Sequence, residues 1–269
     1  SRFSWPLPFA AGPWPRAFFV MATQVSPSII MRVREIRETD LFVIFFARDK
    51  GLLRGVAKGA RRSFKRFVNC FETFSLVNLE YETRREDAPY FLHSGKLQHA
   101  FPGLRADFTA LSRASYMVEL TELLFPPGVS EPRMFDLLKD SLEALSEGEC
   151  SARIPFAFEL RALALGGYRI NLEKCCRCGR TYKGEGLAVF IPERGAVACL
   201  KCRQPSAIHP PMGPDTVKAL RRLQIGSLCE SAPQNLAEPV LAEISGILKL
   251  HREHRLEQKL RTTKYMEEA

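Results

Sequence analysis

Two short cysteine pairs carry the clearest chemistry in the sequence. Cys175 and Cys178 form one Cys-x-x-Cys turn and Cys199 and Cys202 another, with twenty residues between the pairs. Each such turn offers two thiolates from one side, and two turns together offer the four soft ligands of a tetrahedral zinc site. Cys176 stands as an alternative to Cys175, although its one-residue gap to Cys178 closes poorly. Four thiolates leave no open position for water, and no His-x-Glu motif accompanies them, so the expected zinc is structural rather than catalytic. The remaining Cys70, Cys150 and Cys229 read as buried small apolar residues. Paired rather than dispersed cysteines favour a metal site in a reducing, cytoplasmic compartment over disulfides.

A second chemistry-bearing stretch is cationic. Residues 50–71 hold Lys50, Arg54, Lys58, Arg61, Arg62, Lys65 and Arg66 and no Asp or Glu, in a chain of net charge +9. Mutual repulsion makes such a cluster costly unless a polyanion neutralises it. Residues 1–100 carry 16 basic and 9 acidic groups, and residues 171–210 carry 7 and 3, so the two basic zones are also the two motif-bearing zones. This asymmetry points to a nucleic-acid or acidic partner. Phe64 and Phe67 interleave with the cations. They stack on bases or pack against the underlying fold.

The other chemistry is thin. The sequence has no Walker-type phosphate loop, no Gly-x-Ser-x-Gly and no His-Glu-x-x-His. His251 and His254, three apart near the C-terminus, could share a metal but read as exposed surface residues. Nothing assembles an acid, a base and a nucleophile, so no enzymatic activity is expected. No run of 18 or more apolar residues marks a membrane span.

The elements that must position these residues fall into two kinds. From Ser28 to Leu97, five short apolar or alternating segments follow one another with tight polar connections. They suit a small five-stranded barrel, and the OB-fold is the barrel of that size that commonly binds oligonucleotides. After residue 99 the period becomes helical. One helix is expected with Leu104, Phe108, Leu111, Ser115, Val118 and Phe125 on its buried face. A second is expected from Pro132, a third over "PFAFELRALAL", a fourth from Asp215 to Gln224, and a last from Pro239 to about Arg261. Between the cysteine pairs, "LAVFIPERGAVA" reads as two strands joined at "PERG", a zinc ribbon too small to bury its own core. The fold class is therefore α+β. An extra N-terminal tail at 1–20, either disordered or an artefact of start assignment ahead of Met21, precedes an OB-fold at 21–98. A helical domain at 99–269 follows, with a zinc-finger insert at about 172–205. The tail is alternatively a Pro/aromatic arm that docks on a partner.

At this point "RETDLFVIFFARDKGLLRGVAKGARRSFKRF", "ETFSLVNLEY", "HAFPGLRADF", "SYMVELTELLF", "FELRALALGGY" and the two cysteine pairs, in that order, resemble the RecO family of bacterial recombination mediators. The resemblance implies an OB-fold followed by helices with an embedded zinc finger. It implies a non-enzymatic protein that binds single- and double-stranded DNA and anneals complementary strands. With RecR, and often RecF, such a protein helps load RecA onto DNA coated by the single-strand-binding protein SSB, whose C-terminal tail it recognises. Arg54, Lys58, Arg61, Arg62, Lys65 and Arg66 then become the candidate contacts to phosphate, and Cys175, Cys178, Cys199 and Cys202 the metal ligands. A cytoplasmic, nucleoid-associated location follows from the same resemblance. Three other readings compete: an RNA-binding or ribosome-associated zinc protein, a nuclease with a structural ribbon, and a scaffold whose basic loop is only a solvated face.

Overall fold

The computed structural model describes residues 23–83, 88–148, 153–225, 236–256 and 260–262. The tail at 1–20, Cys150 and Cys229 lie outside the described residues. Strands β1 (Gln24–Glu35), β2 (Leu41–Ala47), β3 (Gly51–Ala57), β4 (Leu76–Glu82) and β5 (Tyr90–His99) close into a barrel in the order β1-β2-β3-β5-β4. Neighbours pair antiparallel except β3 and β5, which meet in a short parallel seam at Gly55↔Tyr90 and Val56↔Phe91. The long β1 pairs with β4 through Ile29 and with β2 from Ser28, and its register shifts between Ile30 and Arg32, so it bends around the barrel. This is the five-stranded OB-type barrel expected from the sequence.

The unbroken apolar text of β1 and β2 has a packing cause. Successive strand side chains face opposite sides. Ile30, Val43 and Phe45 point into the barrel, where they meet Leu53, Val77, Leu79, Tyr81 and Leu92. Their neighbours Ile29, Met31 and Phe46, with Leu52 and Phe74, belong instead to the core made by the helices. Both faces of this wall are buried, so both must be apolar. The joint is tight at Gly51, where φ is 69° and a Cβ would run into the Val129 carbonyl. There the Gly128 N–H donates to the Leu52 carbonyl at 2.9 Å. Arg32 bonds Glu122 at 2.8 Å and Arg48 bonds Asp136 at 3.0 Å across the same boundary.

The helices are α1 (Gly103–Ala106), α2 (Phe108–Leu124), α3 (Pro132–Ser146) and α4 (Ile154–Leu165), followed after the cysteine region by α5 (Pro214–Ile225) and α6 (Glu238–Arg255). Two sequence expectations need correction. Leu104 and Phe108 do not share one helical face. Asp107 is extended and caps α2, accepting from the Thr109 and Ala110 N–H groups, so the helix restarts and leaves Phe108 64% exposed. The last helix ends at Arg255 rather than near Arg261. Leu256 turns extended, Leu260 returns to the core, and the Arg261 and Thr262 N–H groups donate to the buried Glu119 carboxylate at 2.9 Å. Among the described residues no helix is long and apolar enough to cross a membrane.

The cysteine region forms the expected hairpin, β6 (Ala188–Ile191) and β7 (Ala196–Cys199), joined at 192–195. A third strand, β8 (Pro211–Met212), pairs with β6 and had no sequence signal. The segment packs its inner face into the helical core rather than into a core of its own. Ala188, Phe190, Val197 and Met212 lie in the helical core, and only the outer face, with Val189, Ile191 and Ala198, packs around Cys175.

Candidate nucleic-acid interface and candidate metal centre

The basic stretch leaves β3 at Ala57 and runs as a loop to residue 75, with one 3-10 turn at Ala60–Arg62. It is fastened by backbone and small polar groups. The Gly59 N–H donates to the Asp40 carboxylate at 2.8 Å and the Arg61 N–H to the Thr39 carbonyl at 3.1 Å. The Arg66 N–H donates to Ser63 Oγ at 3.0 Å, and the Gly95 N–H of β5 donates to the Arg66 carbonyl at 2.8 Å. Phe67 is buried and stacks on Phe71 with ring centroids 4.9 Å apart, and Cys70 is buried against Gly95. The Gly59 N–H bond holds the Asp40 carboxyl below its ordinary range.

Arg61 adds to this fastening, its side chain donating to the Glu38 carbonyl at 3.1 Å. Arg54, Lys58, Arg61, Arg62, Lys65 and Arg66 are all exposed. Among the described residues Arg61 is the one of these in an ion pair, with Glu35 at 2.9 Å, and both partners are exposed. Arg66 lies over the Phe67 ring at 5.1 Å and donates to the Lys58 carbonyl at 2.7 Å. The two phenylalanines separate. Phe67 packs into the barrel, whereas Phe64 is 91% exposed among the cations. Sequence reasoning missed Tyr90 and Phe91 at the start of β5. Lys50 Nζ sits 5.8 Å from the Tyr90 ring and Lys58 Nζ 5.6 Å from the Phe91 ring, so the β3–β5 seam adds aromatics to the cationic surface. An aromatic pair opening a strand beside a basic one was the available signal.

In the cysteine region the Sγ atoms of Cys175, Cys178, Cys199 and Cys202 all lie within 4.8 Å of one another. Cys178 and Cys199 approach to 3.9 Å. A tetrahedron with zinc–sulfur bonds of 2.3 Å has sulfur separations of about 3.8 Å, so the set fits a metal of that kind. Cys176 is not in the cluster; its N–H is tied to the Val197 carbonyl at 2.8 Å. Burial opposes ionisation of Cys175, but N–H groups of Cys178, Cys199 and Arg177 outweigh it and bring the thiol down to about 6. Hydrogen bonds with Cys199 and Cys178 push Cys202 up to about 12. One thiolate forms readily here and another is strongly resisted, as expected where four sulfurs converge and a cation is needed to charge them all.

The histidine expectation is half corrected. His254 is exposed, but His251 is fully buried and bonded through Nε2 to the Tyr168 carbonyl at 2.8 Å. It packs against the hairpin turn, where a Cβ on Gly195 would come within 2.7 Å of its ring. It therefore joins α6 to the ribbon rather than forming a surface pair.

Comparison with known proteins gives a consistent answer across the chain. Residues 21–101 match the family model described as Recombination protein O N terminal, and residues 105–264 match Recombination protein O C terminal. Similar proteins include the DNA repair protein RecO of Geobacter sulfurreducens, 32% identical over 72% of this chain and 78% of its own. The DNA repair protein RecO of Anaeromyxobacter sp. (strain K) is 31% identical over 89% of this chain and 94% of its own. That of Syntrophobacter fumaroxidans is 35% identical over 66% of this chain and 71% of its own.

Proposed function

The chain belongs to the RecO family, and from that premise we propose that it is a non-enzymatic DNA repair and recombination mediator. It binds single- and double-stranded DNA through the barrel loop and anneals complementary strands. With RecR, and RecF where present, it helps load RecA onto DNA coated by SSB, whose C-terminal tail it grips. It acts in the cytoplasm at the nucleoid.

The observation that carries this reading is a loop that presents six exposed cations, of which Arg61 alone is ion-paired among the described residues. Two complementary strands repel each other, and a protein that neutralises their phosphates lowers that barrier without covalent chemistry. Arg54, Lys58, Arg61, Arg62, Lys65 and Arg66 hold the phosphates, and Phe64 stacks on a base. Zinc, held by Cys175, Cys178, Cys199 and Cys202, supplies a structural cross-link between the two cysteine turns. Residues 1–20, 21–98 and 99–269, with the insert at 172–205, are the tail, DNA-binding, helical and metal-bearing units of this scheme.

The test is pairing of complementary strands coated with SSB, without ATP, comparing the parent with an R61Q/R62Q/K65Q/R66Q variant. Acceleration that falls with salt and is lost in the variant is the expected result. No acceleration by the parent ends the annealing reading, and a preference for RNA in competition would replace it with the RNA-binding one. Acceleration unchanged by the variant would make the loop a solvated face only.

A further inference from the structure

The two cysteine turns are built alike. Each carries a cation at its third position, Arg177 in the first and Lys201 in the second. Since the four sulfurs converge, the turns face each other and these cations flank one centre. The first turn continues the pattern. Arg180 lends its carbonyl to the Cys175 N–H at 2.8 Å, and Lys174 bridges to Thr181. Lys174, Arg177, Arg180, Lys183 and Lys201 are all exposed, and none of the ion pairs among the described residues includes them. Of the three acids in this region, Glu193 is engaged with His209 at 3.3 Å. Leu200, next to Lys201 in the chain, is 37% exposed.

This surface and the barrel loop are held by different elements. The loop rests on β5 and the β1–β2 turn, through Gly95 and Asp40. The ribbon rests on α5 and α6, through Arg221 to the Leu172 carbonyl at 2.5 Å and His251 to the Tyr168 carbonyl. Cations exposed together on one small segment suit a polyanion, and the backbone of a flexible single strand can follow a surface this small. We propose that the outer face of the cysteine turns is a second single-strand site, so that one chain holds two strands at once, one on the loop and one on the ribbon. This rests on the reading of the loop as a DNA site.

A rival role for Arg177 and Lys201 is to offset the excess negative charge of four thiolates around one divalent cation. The experiment separates the two. An oligonucleotide is immobilised, saturated with the full-length protein, and offered a labelled non-complementary 20-nucleotide strand. Zinc content is measured on the same samples. Three variants are compared: the loop variant above, R177Q/K201Q, and K174Q/K183Q, which leaves the immediate neighbours within the two Cys-x-x-Cys turns intact. Both ribbon variants are expected to keep zinc and first-strand binding but to lose second-strand capture at least tenfold. The salt slope of capture should fall by about 0.7 for each phosphate contact removed. Parental capture by both ribbon variants with zinc retained would overturn the proposal, as would capture lost only where zinc is lost. A second strand carried by another copy of the chain would persist in the ribbon variants and so would also count against it. If the loop variant combined with R177Q/K201Q still binds the first strand as the parent does, the underlying loop reading fails instead, and the two failures are told apart.

Discussion

Single side chains fix how the parts are held, and few of them were readable in advance. Glu159 on α4 is the clearest case. It accepts from Arg252 at 2.6 Å and from the Tyr116 hydroxyl at 2.5 Å, joining α6, α4 and α2 inside the core. Burial, then the neighbouring Glu159 charge, keeps the Tyr116 hydroxyl protonated far above its ordinary range. Replacing Glu159 with Ala strands the Arg252 charge, and denaturant unfolding should register a loss of about 3–5 kcal/mol. A Glu and an Arg 93 residues apart carry no pairing signal, so the sequence left them as ordinary helix residues. His251 was misread for a related reason. Its spacing from His254 was visible, but Tyr168 and Gly195, which surround it, come from remote segments. Burial lowers its pKa from 6.5, so the unfolded chain binds the proton more readily than the folded one. Stability from this group is therefore present above about pH 6.5 and is lost as the pH falls through the depressed value. His251→Gln should flatten the fall in stability that the parent shows as the pH drops below about 6.5, measured by urea unfolding at each pH.

At the scale of elements, periodicity and spacing did better. All five strands of the barrel were legible because their apolar runs are bounded by polar turns. The β6–β7 hairpin was legible because the cysteine pairs bracket it. The β8 strand was not, since two residues carry no alternation, and the break before α2 was not, since Asp107 could equally have stood inside a helix. The basic loop was legible as charge, but its fastening was not. That rests on Asp40, whose role appears only when the β1–β2 turn meets Gly59. Asp40→Ala should loosen the loop, seen as faster amide exchange at Gly59 and Arg61 with the barrel strands unchanged. For the ribbon, the inner face is anchored in the helical core and the outer face around the sulfurs. Chelation should therefore expose the segments around 175–180 and 199–203 to protease while the helical far-UV signal persists. A full loss of that signal would mean that the metal holds far more than the outer face.

For the molecule as a whole, the sequence suggested separable modules, whereas packing makes barrel and helices share one interior. Ile29, Met31, Phe46, Leu52 and Phe74 are barrel residues that complete the helical core. Excised alone, the barrel would bare all five, so residues 21–98 are expected to be insoluble or to self-associate on gel filtration. Intact chain should unfold with barrel and helix probes moving together, and separate transitions would contradict the shared interior. Charge is likewise a property of the whole. The cations fall on different elements, one group on β3 and the loop between β3 and β4, the other on the cysteine turns before β6 and after β7.

The clasp between Glu119 and residues 261–262 has a consequence for how the chain is made. Its two halves are 142 residues apart, and the carboxylate belongs to a helix that leaves the ribosome long before its partners do. During synthesis Glu119 therefore waits with its acceptors unfilled, and this corner of α2 closes only once residues 261–262 have emerged. Nascent chains stalled before residue 261 has left the ribosome should keep the barrel yet leave this corner open.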